Sequence, residues 1–245
     1  MPHFIISSNS VDKGFINITD KELYHHIAKV LRIKKGEKLL LIDENEFQYI
    51  AQVEDISSQC IYTKVIESHK SSRKLDIELY LAQSVLKPDA QFNVIQKATE
   101  LGTKGIIPLY TDNCSVKQNL IKEKTDKWQK IALESVKQCE RADIPKILEP
   151  RKIKDIIENK EFDTIIAFVE KDSNCTLNEF FKKNKVKKDH SILAIIGPEG
   201  GFSEEEFKLF DKYNIPKITL GNLIYRADTA VVVALSNIIY GIKNE

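Results

Sequence analysis

Apolar and polar positions along the chain follow two rhythms that change near residue 70. Before it, short apolar runs over 38–42, 47–53 and 60–66 read as strands, the first two joined by the polar turn Asp43-Glu-Asn-Glu46. One helix precedes them: Thr19-Asp-Lys-Glu22 reads as a capping box, with Leu23, Ile27, Val30 and Leu31 on one face and Gly36 closing the unit. Ser68-His-Lys-Ser-Ser-Arg-Lys74 carries no apolar side chain and reads as a linker. From residue 75 the rhythm is strand, helix, strand, helix. Strands are expected over 77–82, 105–109, 164–169, 192–196 and 217–220, and helices over 88–101, 125–140, 177–184, 204–213 and 228–242. Pro88 suits a first turn and Gly102 a helix end. The alternation predicts an α/β domain with a parallel sheet over 75–245, preceded by a small, mostly β domain over 1–70.

The stretch Ile192-Leu-Ala-Ile-Ile-Gly-Pro-Glu-Gly-Gly-Phe-Ser203 organises the second domain. Its five apolar residues read as a strand buried on both faces, followed by a glycine loop and a marked helix start. Ser203 and Glu206 form a capping box, and Phe202 and Phe207 occupy the two positions of a hydrophobic staple. The spacing is neither the dinucleotide fingerprint nor the P-loop. Glu204, Glu205 and Glu206 crowd the helix N-terminus and would repel a phosphate, so the pocket suits a neutral or cationic small molecule; an ordinary βα turn is the plainer reading. A third late loop, Gly221-Asn-Leu-Ile-Tyr-Arg-Ala-Asp228, has an apolar run before Arg226, and Asp228 is expected to cap the last helix. Arg226 either binds an anion or pairs with Asp228. From Ala230 to Tyr240 only Ser236 and Asn237 are polar, which suits either a central core helix or a subunit interface.

Composition narrows the function classes. At 245 residues, 42% hydrophobic and 30% charged, the chain has material for a core. A net charge of +1 excludes a strongly basic nucleic-acid binder, so any RNA surface must be a local patch. The four cysteines are irregularly spaced with no C-x-x-C pair, and the five histidines form no ligand-spaced cluster. Reduced thiols, no metal site and a cytoplasmic setting are expected. The opening Met1-Pro2-His3-Phe4 has no secretory pattern, and no apolar run is long enough for a membrane span.

Several motifs in order resemble the RsmE-type ribosomal RNA methyltransferases of the SPOUT class: Gln96-Lys-Ala-Thr-Glu-Leu-Gly102 with Ile107-Pro108-Leu109, Trp128, Gln138-Cys-Glu-Arg141 before Pro145, Ile196-Gly-Pro-Glu-Gly-Gly-Phe-Ser203, and Leu220-Gly221 with Leu223-Ile224-Tyr225-Arg226-Ala-Asp-Thr-Ala230. The preceding module resembles that family's PUA-like β-barrel. Relatives usually carry Leu-Arg-Thr-Glu-Thr-Ala where this chain has Tyr225-Arg-Ala-Asp-Thr-Ala230, which puts the hydroxyl at position 227 in doubt as an essential group. The resemblance implies a SPOUT-type trefoil-knotted domain, a homodimer, and methylation of N3 of a uridine in 16S rRNA, free or in the small ribosomal subunit. It also implies S-adenosyl-L-methionine held by the loops after three late strands: Val169; Ile196, Gly197, Pro198, Glu199, Gly200 and Gly201; Leu220, Gly221, Leu223, Ile224, Tyr225 and Arg226.

Uracil N3 must lose a proton as it accepts a methyl group. That chemistry needs a cation for the charge developing on the uracil oxygens, and a base or water. Arg226 is the candidate for the first role, and Asp228, Glu199 and Glu100 for the second. Lys29, Arg32, Lys34 and Lys35, and the lysine-rich 117–154 stretch with Arg141, are candidate phosphate contacts. A nucleotide-dependent oxidoreductase is disfavoured, since no G-x-G-x-x-G follows a strand; a non-catalytic RNA-binding module would leave Arg226 and the glycine loop idle.

Overall fold

The computed structural model describes residues 1–71, 75–139, 141 and 143–243. It divides into two units, Met1–Lys74 with Val136–Asp143, and Leu75–Ser135 with Ile144–Glu245. In the first unit, strands β1 (His3–Ile6), β2 (Val11–Asp12), β3 (Phe15–Ile18), β4 (Lys38–Asp43), β5 (Phe47–Ile56) and β6 (Ile61–Lys70) form one sheet in the order β1-β4-β5-β6-β3-β2. Its pairs are antiparallel except β1 with β4. The edge strands β1 and β2 are joined by a single 3-10 turn, Ser8–Ser10. Five residues span at most about 18 Å, whereas the edges of a flat six-stranded sheet lie about 24 Å apart. The sheet therefore curls, and Ile16, Ile27, Leu39, Leu41 and Ile61 fill the inside at 0% exposure.

The first unit departs from its sequence reading in four places. Strands β1, β2 and β3 do not stand out in the pattern, which shows no strand before residue 38. Asp20, not Thr19, caps helix α1 (Lys21–Tyr24), accepting a hydrogen bond from the Leu23 amide at 2.8 Å. The chain then continues as a π-helical turn, His25–Val30. Its i→i+5 bonding breaks the i, i+3, i+4 spacing, so Val30 and Leu31 are 57% and 43% exposed, while Ile27 is buried in the core and Leu23 packs against it. Ser68, His69 and Lys70 belong to β6, where cross-strand pairing with Phe47, Gln48 and Tyr49 outweighs their polarity. Residues 72–74 of the expected linker lie outside the described residues.

In the second unit every strand pairing is parallel. Strands β7 (Glu78–Ser84), β8 (Gly105–Tyr110), β9 (Lys146–Ile147), β10 (Arg151–Lys152), β11 (Thr164–Phe168), β12 (Cys175–Thr176), β13 (Ser191–Ile196) and β14 (Lys217–Thr219) make a sheet ordered β10-β8-β7-β13-β11-β14-β12, with β9 beside β8. Helices α2 (Pro88–Glu100), α4 (Thr125–Cys139), α6 (Leu177–Lys183) and α8 (Ala227–Lys243) share one core with Leu79, Leu81, Ile106, Ile166, Ala194 and Ile196. Helices α5 (Ile153–Asn159) and α7 (Glu204–Lys212) share the other with Ala82, Ile107, Ala167, Leu193 and Ile195. Alternate strand residues thus point into opposite layers, as a sheet covered on both faces requires. The short α3 (Gln118–Lys122), α5, β9, β10 and β12 were not expected from the pattern. Residue 140 of the expected 125–140 helix lies outside the described residues. No described helix is long and apolar enough to cross a membrane.

Candidate active site

Register places the end of the site. Phe168 pairs with Ile196 on one side and with Ile218 on the other, so β11, β13 and β14 finish in a row. Ligands bind outside the carboxyl ends of parallel strands, where successive loops diverge. A cavity of about 450 Å³ lies there, walled by all three following loops. The first contributes Phe168, Val169 and Glu170; the second Ile196, Gly197, Pro198, Glu199, Gly201, Phe202 and Phe207; the third Thr219, Leu220, Gly221, Leu223, Ile224, Tyr225, Arg226, Ala227, Asp228 and Ala230. Leu86 and Ala90, at the entry to α2, complete the wall.

The glycine loop is held from several sides. Gln83 Nε2 donates to the Gly197 carbonyl at 3.1 Å, and Asn113 Nδ2 donates to the Gly201 carbonyl at 3.1 Å. The expected capping box is present: Ser203 Oγ accepts from the Glu206 amide, and Glu206 Oε2 accepts from the Ser203 amide at 2.8 Å. The Ser203 hydroxyl also donates to Asp112 Oδ2 at 2.6 Å. The staple is present too, with the Phe202 and Phe207 rings edge-on at 6.2 Å. Burial pushes the Glu206 carboxyl above its ordinary pKa, and the Asp112 charge adds to this, against hydrogen bonds from the Ser203 and Asp112 amides that favour ionisation. Gly201 has φ +69°, and a Cβ there would lie 2.7 Å from Glu170 Oε1. Backbone and carboxylate approach closely because no side chain intervenes.

The third loop has few such ties. Thr219 Oγ1 and Gly221 exchange two hydrogen bonds of 3.1 Å, and the Arg226 carbonyl accepts from the Ala230 amide at 2.8 Å. Leu223 and Ile224 are 71% and 88% exposed although they line the cavity. Arg226 is exposed and, among the described residues, makes no salt bridge and no side-chain hydrogen bond. The alternative reading of an Arg226–Asp228 pair is therefore not what the geometry contains. Asp228 is not the cap of α8 either: the helix begins at Ala227 and Asp228 sits half-buried in its first turn, where a negative charge suits the dipole.

Other expected residues fall elsewhere. Gly200 is not in the cavity wall and packs instead against Asn113, whose Cβ would be 3.3 Å from an added methyl group. Glu100 forms an ion pair with Lys97 at 2.9 Å and ends a helix whose wall residue is Ala90. Ten residues of helix put it about 15 Å from that position, which removes it as a base. Arg141 is 7% exposed and forked onto Asp143, with Nη2–Oδ2 at 2.7 Å and Nε–Oδ1 at 3.1 Å, so its donors are not presented to a phosphate in this arrangement. Lys29, Arg32, Lys34 and Lys35 are exposed on the first unit. Among the described residues no group of three or more His, Cys, Asp or Glu is placed to hold a metal ion.

Residues 73–239 match the RNA methyltransferase domain family, and residues 18–66 match the RNA methyltransferase PUA domain. The chain belongs to the RNA methyltransferase family. It is 30% identical to the ribosomal RNA small subunit methyltransferase E of Bacillus subtilis over 91% of this chain and 89% of that one. It is 31% identical to the enzyme of the same name from Mesomycoplasma hyopneumoniae, covering 94% and 96%. A Legionella pneumophila methyltransferase solved with bound cofactor SAM superposes with a TM-score of 0.81 at 26% identity, covering 96% and 95%. The fold class expected from the resemblance, a SPOUT-type parallel-sheet domain preceded by a PUA-like module, is the one found in this family member. The wall residues that sequence reasoning missed are Leu86, Ala90, Phe168, Glu170, Phe202, Phe207, Thr219, Ala227 and Ala230. Most adjoin residues that were expected; Leu86 comes from the β7–α2 connection and Ala90 from the first turn of α2, and only three-dimensional register brings that segment in.

Proposed function

We propose that the protein transfers the methyl group of S-adenosyl-L-methionine to N3 of a uridine in 16S rRNA. The observation that carries this reading is one cavity walled by three loops at aligned strand ends, with an unpaired guanidinium, Arg226, on its rim. The residues present fit the cofactor. A volume of about 450 Å³ lies within the range of about 300–1,000 Å³ for small-molecule sites. Val169, Ile196 and Leu220 offer an apolar slot for adenine, while Glu170, Glu199 and Asp228 offer negative charge for a sulfonium and an ammonium. The missing side chain at Gly201 lets the Glu170 carboxylate lie close against the backbone of the glycine loop.

When bound, S-adenosyl-L-methionine supplies an electrophilic methyl carbon. Arg226 holds a uracil oxygen and stabilises the negative charge that builds there as N3 loses its proton. Asp228 and Glu199, both in the cavity wall, are the candidate proton acceptors. A uridine reaches this recess only when unpaired or flipped out. The PUA-like unit, with Lys29, Arg32, Lys34 and Lys35 exposed, supplies phosphate contacts. A second copy of the chain packs on α8, whose Val232, Val233 and Ile239 remain half-buried and whose Tyr240 is 73% exposed. Ribosomal RNA as substrate sets the cytoplasm as the place of action.

Mass spectrometry of 16S rRNA from cells lacking the protein is expected to show the loss of one N3-methylated uridine, restored by the wild-type gene. S-adenosylhomocysteine at a hundred times its Kd is expected to stabilise the purified protein by about 2.7 kcal/mol. An unchanged modification pattern, or no thermal shift at saturating ligand, would overturn the reading.

A further inference from the structure

We infer that Gln83 is a positioning residue for the cofactor site, holding the glycine loop in its binding geometry through the Gly197 carbonyl; this rests on the proposed use of the cavity. Gln83 lies in β7 in a row between Ile196 of β13 and Pro108 of β8. Strand alternation puts its side chain on the same face as Leu79 and Leu81, which belong to an apolar core. It is 0% exposed. Its Nε2 donates to the Ser84 carbonyl at 2.8 Å and to the Gly197 carbonyl at 3.1 Å, while its Oε1 is buried with no hydrogen-bond partner among the described residues. An amide flip does not rescue the oxygen, because it would then face two carbonyl oxygens.

A carboxamide with half its capacity unmet is an expensive way to fill a core position that Leu or Met would fill without polar cost. Core stability therefore does not explain it. Its one long-range bond, across 114 positions of sequence, ends on the first residue of the loop that walls the cavity. That bond fixes the direction in which the chain leaves β13, and with it where Pro198, Glu199 and Gly201 stand. Asn113 holds the far end of the same loop at the Gly201 carbonyl, so the two amides clamp it at both ends.

The test compares wild type with Gln83→Met, which keeps length and volume but removes the donor. Three readouts are taken on the intact protein: thermal unfolding, calorimetric S-adenosylhomocysteine affinity, and amide exchange in 197–202. Positioning predicts a Tm equal to or above wild type, a Kd raised tenfold or more, and faster exchange in that segment without ligand. A Kd within twofold of wild type, or unchanged exchange, overturns the inference. A fall in Tm with a proportionate loss of binding also overturns it, since the side chain is then merely structural. Should Gln83→Met fail to fold, Gln83→Glu decides. Its protonated carboxyl donates to Gly197 and its carboxylate does not, so affinity relative to wild type must recover as pH falls; a flat ratio overturns the inference. If wild type binds no S-adenosylhomocysteine, the reading of the cavity fails and takes this inference with it. Equal binding by wild type and variant sinks the role of Gln83 alone.

Discussion

Two walls of one cavity are built to opposite specifications. The 197–203 wall is tied down by Gln83, Asn113, Asp112, a capping box and edge-on contacts among phenylalanine rings. The 220–226 wall carries exposed Leu223 and Ile224, a guanidinium without an ion pair, and hydrogen bonds that stay within a few residues. A preorganised wall lowers the ordering cost of binding a small ligand. A wall with unsatisfied apolar and charged groups leaves room for a further partner, which on the proposed reading is the RNA and a second copy of the chain. On the proposed reading both walls touch the cofactor, the braced one giving it a fixed surface, while the exposed end of the open wall with Arg226 is turned to the substrate.

The largest expected effect separates the two. Arg226→Ala should lower single-turnover methyl transfer roughly a hundred- to a thousandfold, about 2.7–4 kcal/mol, the cost of losing one preorganised donor. S-adenosylhomocysteine affinity and Tm should barely move, because on the proposed mechanism the charge acts in the transition state and the side chain bonds none of the described residues. Arg226→Lys should also fall sharply, since it keeps the charge but loses the planar fork. A rate within about threefold of wild type at saturating RNA and cofactor, far short of the loss of an oxyanion donor, removes Arg226 from the mechanism.

Next is the cover over the open wall. Val232 is half-buried on α8 in the single chain, and burying a glutamate there between two copies should cost of order ~3 kcal/mol. If α8 is the proposed interface between copies, wild type should sediment as a dimer at micromolar concentration and Val232→Glu as a monomer with reduced methyl transfer. A monomeric wild type at micromolar concentration would show instead that α8 serves only the core of its own chain.

The braced wall was also the more legible in the sequence, and for a physical reason. Ser203, Glu206, Phe202 and Phe207 act within five residues of one another, so their spacing alone specifies the helix start. The parallel strands β7, β8, β11, β13 and β14 were legible because burial on both faces makes them continuous apolar runs, whereas the two-residue β9, β10 and β12 are too short to show one. Gln83 and Leu86 were not, since what matters in each is a partner far away in the chain. The π-helical turn after Tyr24 was hidden because its residues suit an α-helix equally well. Arg141 was read as a phosphate contact because sequence shows its charge but not the fork onto Asp143. Short elements such as α5 carry too few turns for a period to stand out.

A glycine comparison sharpens the contrast further. Gly201 and Gly221 both have positive φ, +69° and +107°. An alanine in left-handed backbone costs about 1–2 kcal/mol. In the braced wall Gly201→Ala has no escape, so that loss should appear in full as lowered thermal stability, together with weaker cofactor binding as the Glu170 carboxylate is displaced. Around Gly221 nothing lies within 4 Å of an added Cβ, and the loop can re-form. Gly221→Ala should lose less than half as much stability by denaturant unfolding. Equal losses would mean that the third loop is held as firmly as the second.

The smallest effect tests how the brace is charged. Glu206 is buried beside Asp112, and its carboxyl titrates above the ordinary 4.5, burial being the largest cause and the Asp112 charge a further one. The folded protein therefore holds this proton more tightly than the unfolded chain does. Unfolding in that window releases protons, so this group's contribution is fully present below about 4.5 and is lost as pH rises through the raised value. Glu206→Gln keeps a capping acceptor but removes the titration and the repulsion from Asp112. Like the protonated carboxyl, it has one carbonyl acceptor for the two amides of Ser203 and Asp112. The stability of wild type relative to the variant, followed by urea unfolding from pH 4 to 7.5, should therefore fall as pH rises. A constant difference would mean that Glu206 ionises in the fold as it does in water, and that the brace carries no electrostatic strain.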